Sequence, residues 1–239
     1  MDEKSKLDKP LPIWFILLIP VYIAAIFSLL LFPLANDWRW LEGWVFVITF
    51  SINMGISYYF INRANPRVLR NRMKLKKKGL TRETKKAARS DWFIFPLLSI
   101  GFYGAFFVSS LNHQKGWSTV PSWLTVIGLI GANLGVVILN LAIYQNAFAS
   151  KILDINEDQK LIDTGLYAHV RHPLYAGGVL LALFIPLALG SWWAFLPAII
   201  AAATMTVRIK FEEEMLIKGM DGYADYQERV PYKLIPGIF

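Results

Sequence analysis

The chain of 239 residues contains no cysteine and only three histidines, His113, His169 and His172. The first absence excludes disulfides, a thiolate nucleophile and cysteine-ligated clusters, and it leaves the redox compartment unread. The second leaves little for a metal. A zinc site built on two of these histidines would need acidic ligands as well, and acids are scarce, 17 against 25 Lys and Arg. Charged residues of both signs make up only 18% of the chain, and no repeat or low-complexity tract interrupts it. What fills the space is apolar: 55% hydrophobic and 15% aromatic residues, above the roughly 45–50% usual for a soluble domain.

The apolar residues fall in runs of about 20, the length a helix needs to cross a bilayer core. Such runs are too long for the alternating, strand-length pattern of a membrane barrel. The expected fold is therefore all-α, a polytopic membrane protein of about six transmembrane helices with a cytoplasmic C-terminal helix. The spans are expected at about 12–34, 43–62, 92–111, 123–148, 173–189 and 193–211, with a charged helix over about 212–229. The first run follows MDEKSKLDKP and is long enough to span, so it is expected to be retained, unlike a signal peptide. One membrane domain, 1–239, is expected. Within it, 1–148 forms four spans with a basic loop at 63–90, and 149–239 forms a catalytic core.

The formal charge of +8 is concentrated. Residues 63–90 hold twelve Lys and Arg against one acid, Glu83, a local +11 that leaves −3 for the remainder. That is a topology signal and a lipid-headgroup contact, and it argues against a nucleic-acid partner. The positive-inside bias puts this loop in the cytoplasm. Counting spans then puts both termini and the segment 150–172 on that side, with the turns NDWRW, NHQKG and Gly190-Ser191 opposite. The segment NPRVLRNRMKLKKKGL reads either as an interfacial helix or as a solvated charged loop. In the fourth span Gly131 and Gly135 form a small-xxx-small pair suited to close helix approach. Asn133, Asn140, Gln145 and Asn146 are expected to face the bundle interior.

Gly165 to Gly178, GLYAHVRHPLYAGG, gathers Tyr167, His169, Arg171, His172 and Tyr175 at the entrance to one apolar run. Pro173 suits a first helical position, so the run could be a structural helix start. A helix N-terminus is also an anion site, and His169 and His172 at i,i+3 leave a metal as the sharper alternative. Two spans later Arg208 precedes Glu212, Glu213 and Glu214. Arg208 and Glu212 share a helix face, and an arginine at membrane depth calls for a partner, Glu212 or a ligand carboxylate. Gly177-Gly178 reads as helix packing or as close approach of a ligand.

Together, DTGLYAHVRHPLYAGG, a glycine-turned hairpin of two apolar runs, the R-I-x-x-E-E-x-x-L pattern and GYADYQERVPYKLIPGIF resemble the isoprenylcysteine carboxyl methyltransferase family, in its bacterial and archaeal form. The phospholipid N-methyltransferases share a similar C-terminal core. The resemblance is strong over about 150–239 and weaker over NRANPRVLRNR and TKKAARSDW, which look like the bacterial and archaeal members. It implies an all-α membrane fold and use of S-adenosylmethionine without a metal. It implies cofactor contacts at Gln159, Lys160, Leu161, Ile162, Tyr167, His169, His172, Pro173, Leu174, Tyr175, Glu212 and Glu213. Arg208 is implied to face the substrate, with Arg208 and Glu212 as the catalytic pair. The implied reaction is methyl transfer to a lipophilic or lipidated acceptor, a prenylcysteine-like carboxylate. A phospholipid or other lipid N-methyltransferase is the alternative within enzymes. A small transporter is the alternative outside them.

Overall fold

The structure, a computed structural model, describes residues 9–73, 82–146 and 161–239, with side chains described throughout except at 71–73 and 82–91. Eight α-helices run through it in chain order: α1 (Ile13–Ala35), α2 (Leu41–Ala64), α3 (Pro66–Met73), α4 (Arg82–Lys115), α5 (Ser122–Gln145), α6 (Pro173–Ala188), α7 (Phe195–Gly219) and α8 (Tyr223–Arg229). A single 3-10 turn, Gly165–Ala168, precedes α6. There is no strand among the described residues. Among the described residues four segments are long and apolar enough to cross a membrane: α1, α2, α5 and the Trp92–Lys115 part of α4. The protein is an integral membrane protein.

The last two expected spans are built differently. Helix α6 has 16 residues, about 24 Å at 1.5 Å per residue, against a hydrocarbon core of about 30 Å. Helix α7 is long enough, but its second half carries Arg208, Lys210, Glu212, Glu213, Glu214 and Lys218. The separate charged helix expected over 212–229 is not formed. Instead α7 continues without a break to Gly219, the chain turns at Gly222 with φ +76°, and α8 begins there.

The outer faces of the bundle are apolar, as a lipid solvent requires. Trp14, Leu17, Val21 and Leu29 on α1 and Ile48, Ile52, Ile56 and Phe60 on α2 are exposed. The core beneath them is centred on Phe32, Phe46, Phe106, Val136 and Ile185. The most extensive helix contacts are α5 with α6 and α4 with α7, and both are made on glycine. A Cβ on Gly135 would stand 2.6 Å from the Leu181 nitrogen, and one on Gly177 would stand 2.5 Å from the Leu139 nitrogen. The close approach expected of Gly135 is therefore made, and its partner is Gly177. Gly178 faces only the Met205 thioether, so of the pair Gly177 alone is required by helix packing.

The turns sort to two ends. At one end His113 Nε2 lies 2.9 Å from Asp37 Oδ2 with Trp40 stacked on the imidazole. Asn112 donates to the Gly190 carbonyl and Trp192 to that of Thr119. The NDWRW, NHQKG and Gly190 turns thus meet. At the other end Asn62 exchanges two hydrogen bonds with the Leu11 backbone, 2.7 and 3.0 Å, beside α3. There PRVLRNRM is helical, with Val68 and Leu69 buried against Ile16, Ile61 and Ile143. The GLYAHVRHP segment and the C-terminal residues lie at this same end through their bonds to α5 and α7, described next.

Candidate active site: a buried carboxylate at the mouth of α6

Helix α5 sets the entrance. Its last residue, Gln145, accepts the Leu166 N–H through Oε1 at 2.9 Å. The chain can bend tightly over that side chain because Gly165 takes φ +62°, where any Cβ would strike the Gln145 amide. Asn146 stands 3.4 Å from the Tyr167 hydroxyl, while Asn133 bonds Asn53 and Thr49 on α2. All four polar residues of this run, Asn140 included, point into the protein.

The backbone then doubles against the C-terminal segment. Arg171 N–H donates to the Tyr232 carbonyl at 3.0 Å, and His172 N–H to that of Lys233 at 2.9 Å. Pro173 occupies the first turn of α6, and His172 before it makes no side-chain cap. Its ring is engaged elsewhere. His172 Nε2 lies 3.2 Å from Glu213 Oε1, and the same oxygen accepts from Arg171 Nε at 2.8 Å. Lys233 Nζ takes the other oxygen at 2.8 Å, and Arg171 Nη1 donates to the Val230 carbonyl at 2.6 Å. One carboxylate thus joins the α6 entrance, α7 and the C-terminal segment, with Arg171, His172 and Glu213 all buried.

Burial alone would raise the Glu213 carboxyl. The hydrogen bonds from His172, Lys233 and Arg171 outweigh it and hold the group well below the usual carboxylate range. Across the cluster the phenol of Tyr223 is pushed up by burial first, then by the charges of Glu213 and Glu212. Its hydroxyl is buried and has no hydrogen-bond partner among the described residues. Tyr226 is also raised by burial, and its hydroxyl donates to the Tyr167 carbonyl at 2.7 Å.

One residue earlier on α7 the environment changes. Glu212 is half-buried and accepts the Tyr175 hydroxyl on Oε2 at 2.6 Å. Its Oε1 has no hydrogen bond from a described residue. A turn below, Arg208 is buried with its guanidinium 4.5 Å from the centroid of the Phe95 ring on α4, a cation–π placement suited to low dielectric.

Most of the sequence-predicted residues are therefore assembled at one end, in distinct roles. Tyr167, Leu161 and Leu174 are held inside: Tyr167 is buried, Leu161 packs on the Tyr223–Tyr226–Val230 cluster, and Leu174 packs on the Ile61–Val68–Ile143 cluster. Pro173 is buried, Ile162 is half-buried and His169 is exposed. Gln159 and Lys160 lie outside the described residues. Among the described residues no three His, Asp or Glu side chains come together as metal ligands. Sequence reasoning missed Lys233, Tyr226 and Phe95, and it gave Gln145 only as a polar residue facing the interior. The i,i+3 pair Tyr223–Tyr226 and a lone lysine inside an apolar tail were the signals available for the first two.

Residues 123–220 match the model of the phospholipid methyltransferase family. That stretch runs from the start of α5 to just past α7 and holds Arg171, Tyr175, Arg208, Glu212 and Glu213. The chain is also 35% identical over 78 residues to the protein-S-isoprenylcysteine O-methyltransferase of Schizosaccharomyces pombe (strain 972 / ATCC 24843), which is 32% of this chain and 33% of that protein. It thus matches about a third of the length of that relative. A solved structure, the eukaryotic intramembrane Ras methyltransferase ICMT (isoprenylcysteine carboxyl methyltransferase) without a monobody, aligns over 100% of this chain and 88% of its own, with 18% identity and a TM-score of 0.40.

Proposed function

We propose that the protein is an S-adenosylmethionine-dependent membrane methyltransferase that esterifies the carboxylate of a lipophilic, prenylcysteine-like acceptor. The methyltransferase class is supported by the match over 123–220 and by the identity to an isoprenylcysteine O-methyltransferase. The cofactor suits the side chains at the mouth of α6. Glu212 Oε1 is an acceptor with no described donor, next to the Tyr175 ring and hydroxyl. A carboxylate and an aromatic face are what a sulfonium with ribose hydroxyls and an amino group would use. When bound, the cofactor supplies an electrophilic methyl group. Glu212 and Tyr175 would hold it, with Ile162 and His169 at the same end. Glu213, Arg171 and His172 would support that holder from beneath.

The observation that carries the choice of acceptor is the buried Arg208 a turn from Glu212, and the engagement of His172 agrees with it. An amine or phenol acceptor must lose a proton, and a base is then wanted. Of the two candidate bases, His172 is buried on Glu213 and Arg171, which does not suit that task, and the exposed His169 is the one left. A carboxylate is already ionised at neutral pH and needs only orientation, for which Arg208 is placed a turn from Glu212. Positioning then supplies most of the rate. The cofactor would arrive from the cytoplasmic side and the acceptor from the bilayer.

The second reading, phospholipid N-methylation, is favoured by the name of the matching family. A transfer assay with labelled S-adenosylmethionine against prenylcysteine analogues and membrane lipids separates the two. Methyl ester formation on the analogue supports the first reading, and label only in phosphatidylethanolamine derivatives overturns it. Arg208→Ala is expected to abolish transfer and to leave cofactor affinity within about threefold by calorimetry. Loss of cofactor binding in that variant contradicts its role toward the acceptor.

A further inference from the structure

A groove of about 550 Å³ runs along the α2–α5 interface, lined by Asn53, Ile56, Phe60, Arg63, Leu141 and Tyr144 among others. We infer that it seats one acyl chain of an anionic phospholipid, with the lipid phosphate on Arg63. The inference does not depend on the methyltransferase reading.

Three features define the occupant. The first is length. Asn53 and Arg63 stand ten residues apart on one helix, about 15 Å at 1.5 Å per residue. That is half of a hydrocarbon core of about 30 Å, the depth of a single leaflet. The second is access. Ile56, Phe60 and Leu141 are exposed on the outer surface of the bundle, so the groove opens sideways, where acyl chains are. The third is charge. Arg63 sits at the end where the basic segment starts, and no acid occurs between Asn53 and Met73. Its guanidinium lies 5.6 Å from the Tyr59 ring, and no described carboxylate is within ion-pair distance. Guanidinium binds phosphate bidentately, and anionic lipid is enriched in the leaflet that basic loops face.

Helix α5 separates this groove from the candidate active site. Its Gly128, Gly131 and Gly135 face α6, whereas Val137, Asn140, Leu141 and Tyr144 face the groove. A molecule with its head on Arg63 lies on the α2 side of α5, whereas Arg208 is on α7, which packs on α4 and α6. The groove is therefore assigned to a resident lipid and not to the methyl acceptor.

The full-length protein in detergent, titrated with phosphatidylglycerol or phosphatidylcholine, tests this by native mass spectrometry and thermal shift. Wild type is expected to retain phosphatidylglycerol at least tenfold better than phosphatidylcholine. Arg63→Gln, and Leu141→Trp that fills the groove, are expected to lose that preference while remaining monodisperse and helical. Lys218→Gln, which removes an exposed cation at the end of α7, is expected to keep it. Three results would overturn the assignment: an undiminished preference in Arg63→Gln, an equal loss in Lys218→Gln, or displacement of the bound lipid by a prenylcysteine analogue. The second would mean diffuse attraction, the third an acceptor site.

Discussion

Glu212, Glu213 and Glu214 are chemically the same residue, and only the direction each faces on α7 separates them. Glu214 is exposed, Glu212 is half-buried on the Tyr175 hydroxyl, and Glu213 is enclosed by Arg171, His172 and Lys233. Removing one partner of a buried charge cluster leaves the others uncompensated, at about 3–5 kcal/mol. Glu213→Gln is therefore expected to lower the melting temperature in detergent far more than Glu214→Gln. The pH dependence follows from the sign of the shift. The folded carboxyl ionises below its ordinary value of 4.5, so its contribution is fully present above about that pH. It is lost as pH falls through the lowered value. Wild type is expected to lose stability on going from about pH 5 to pH 3, and Glu213→Gln to lose less over that interval. The tyrosines offer a second contrast. Tyr226 donates a buried hydrogen bond and Tyr223 carries a buried hydroxyl with no described partner. Tyr226→Phe leaves the Tyr167 carbonyl short of a donor and is expected to cost about 1–3 kcal/mol. Tyr223→Phe removes a desolvated group and is expected to be neutral or stabilising. Equal losses in denaturation midpoint would contradict both assignments.

At the scale of elements, neighbouring glycines on one helix carry different burdens. A methyl on Gly177 meets the α5 backbone at Leu139, which cannot yield without moving the helix. A methyl on Gly178 meets the far end of the Met205 side chain at 3.0 Å, and alanine's better helix propensity, roughly 0.5–1 kcal/mol, offsets the contact. Gly177→Ala is expected to destabilise by about 1–3 kcal/mol or more, and Gly178→Ala to stay within about 0.5 kcal/mol of wild type. Thermal unfolding of the two variants side by side checks this. The apolar helices were legible in the sequence because membrane solvent imposes one length and one polarity. The bounds read at 12–34 and 123–148 lie within three residues of α1 and α5. The gathering of Tyr175, Arg208 and Glu212 at one end was legible too, since parity of spans fixes which ends meet. The partner of Glu213 was not. Three consecutive glutamates differ by about 100° each around a helix, and only the packing of α6 and the C-terminal segment selects one. The stop of α7 before Gly222 was legible in principle, although the reading over 212–229 ran through it. Its signal was Gly219 and the Asp221-Gly222 pair, poor helix formers with Gly222 at φ +76°, after which Tyr223, Tyr226 and Val230 find a common cluster with Leu161 and Leu216.

For the whole molecule, the segment after α8 is a strap that closes the bundle. It touches the α6 entrance through two backbone carbonyls, at Tyr232 and Lys233, and reaches Glu213 through the Lys233 ammonium. Leu234 of the strap also packs on Tyr175 and Ile209, so cutting the strap both releases the entrance and uncovers the Tyr175 ring. Deleting residues 231–239 leaves all four apolar spans and their glycine seams in place. It removes two backbone acceptors from Arg171 and His172 and one of the cations on Glu213. The expected product is a protein that inserts and keeps its helical circular dichroism but binds S-adenosylmethionine at least tenfold more weakly, because the α6 entrance is no longer fixed relative to α7 and the Tyr175 ring is uncovered. Lys233→Met, which keeps the carbonyls, is expected to fall between the two, since Arg171 and His172 still hold Glu213. If the truncated protein bound the cofactor as tightly as the intact one, the strap would be packing alone. If Lys233→Met lost as much as the truncation, the ion pair and not the backbone would fix the entrance.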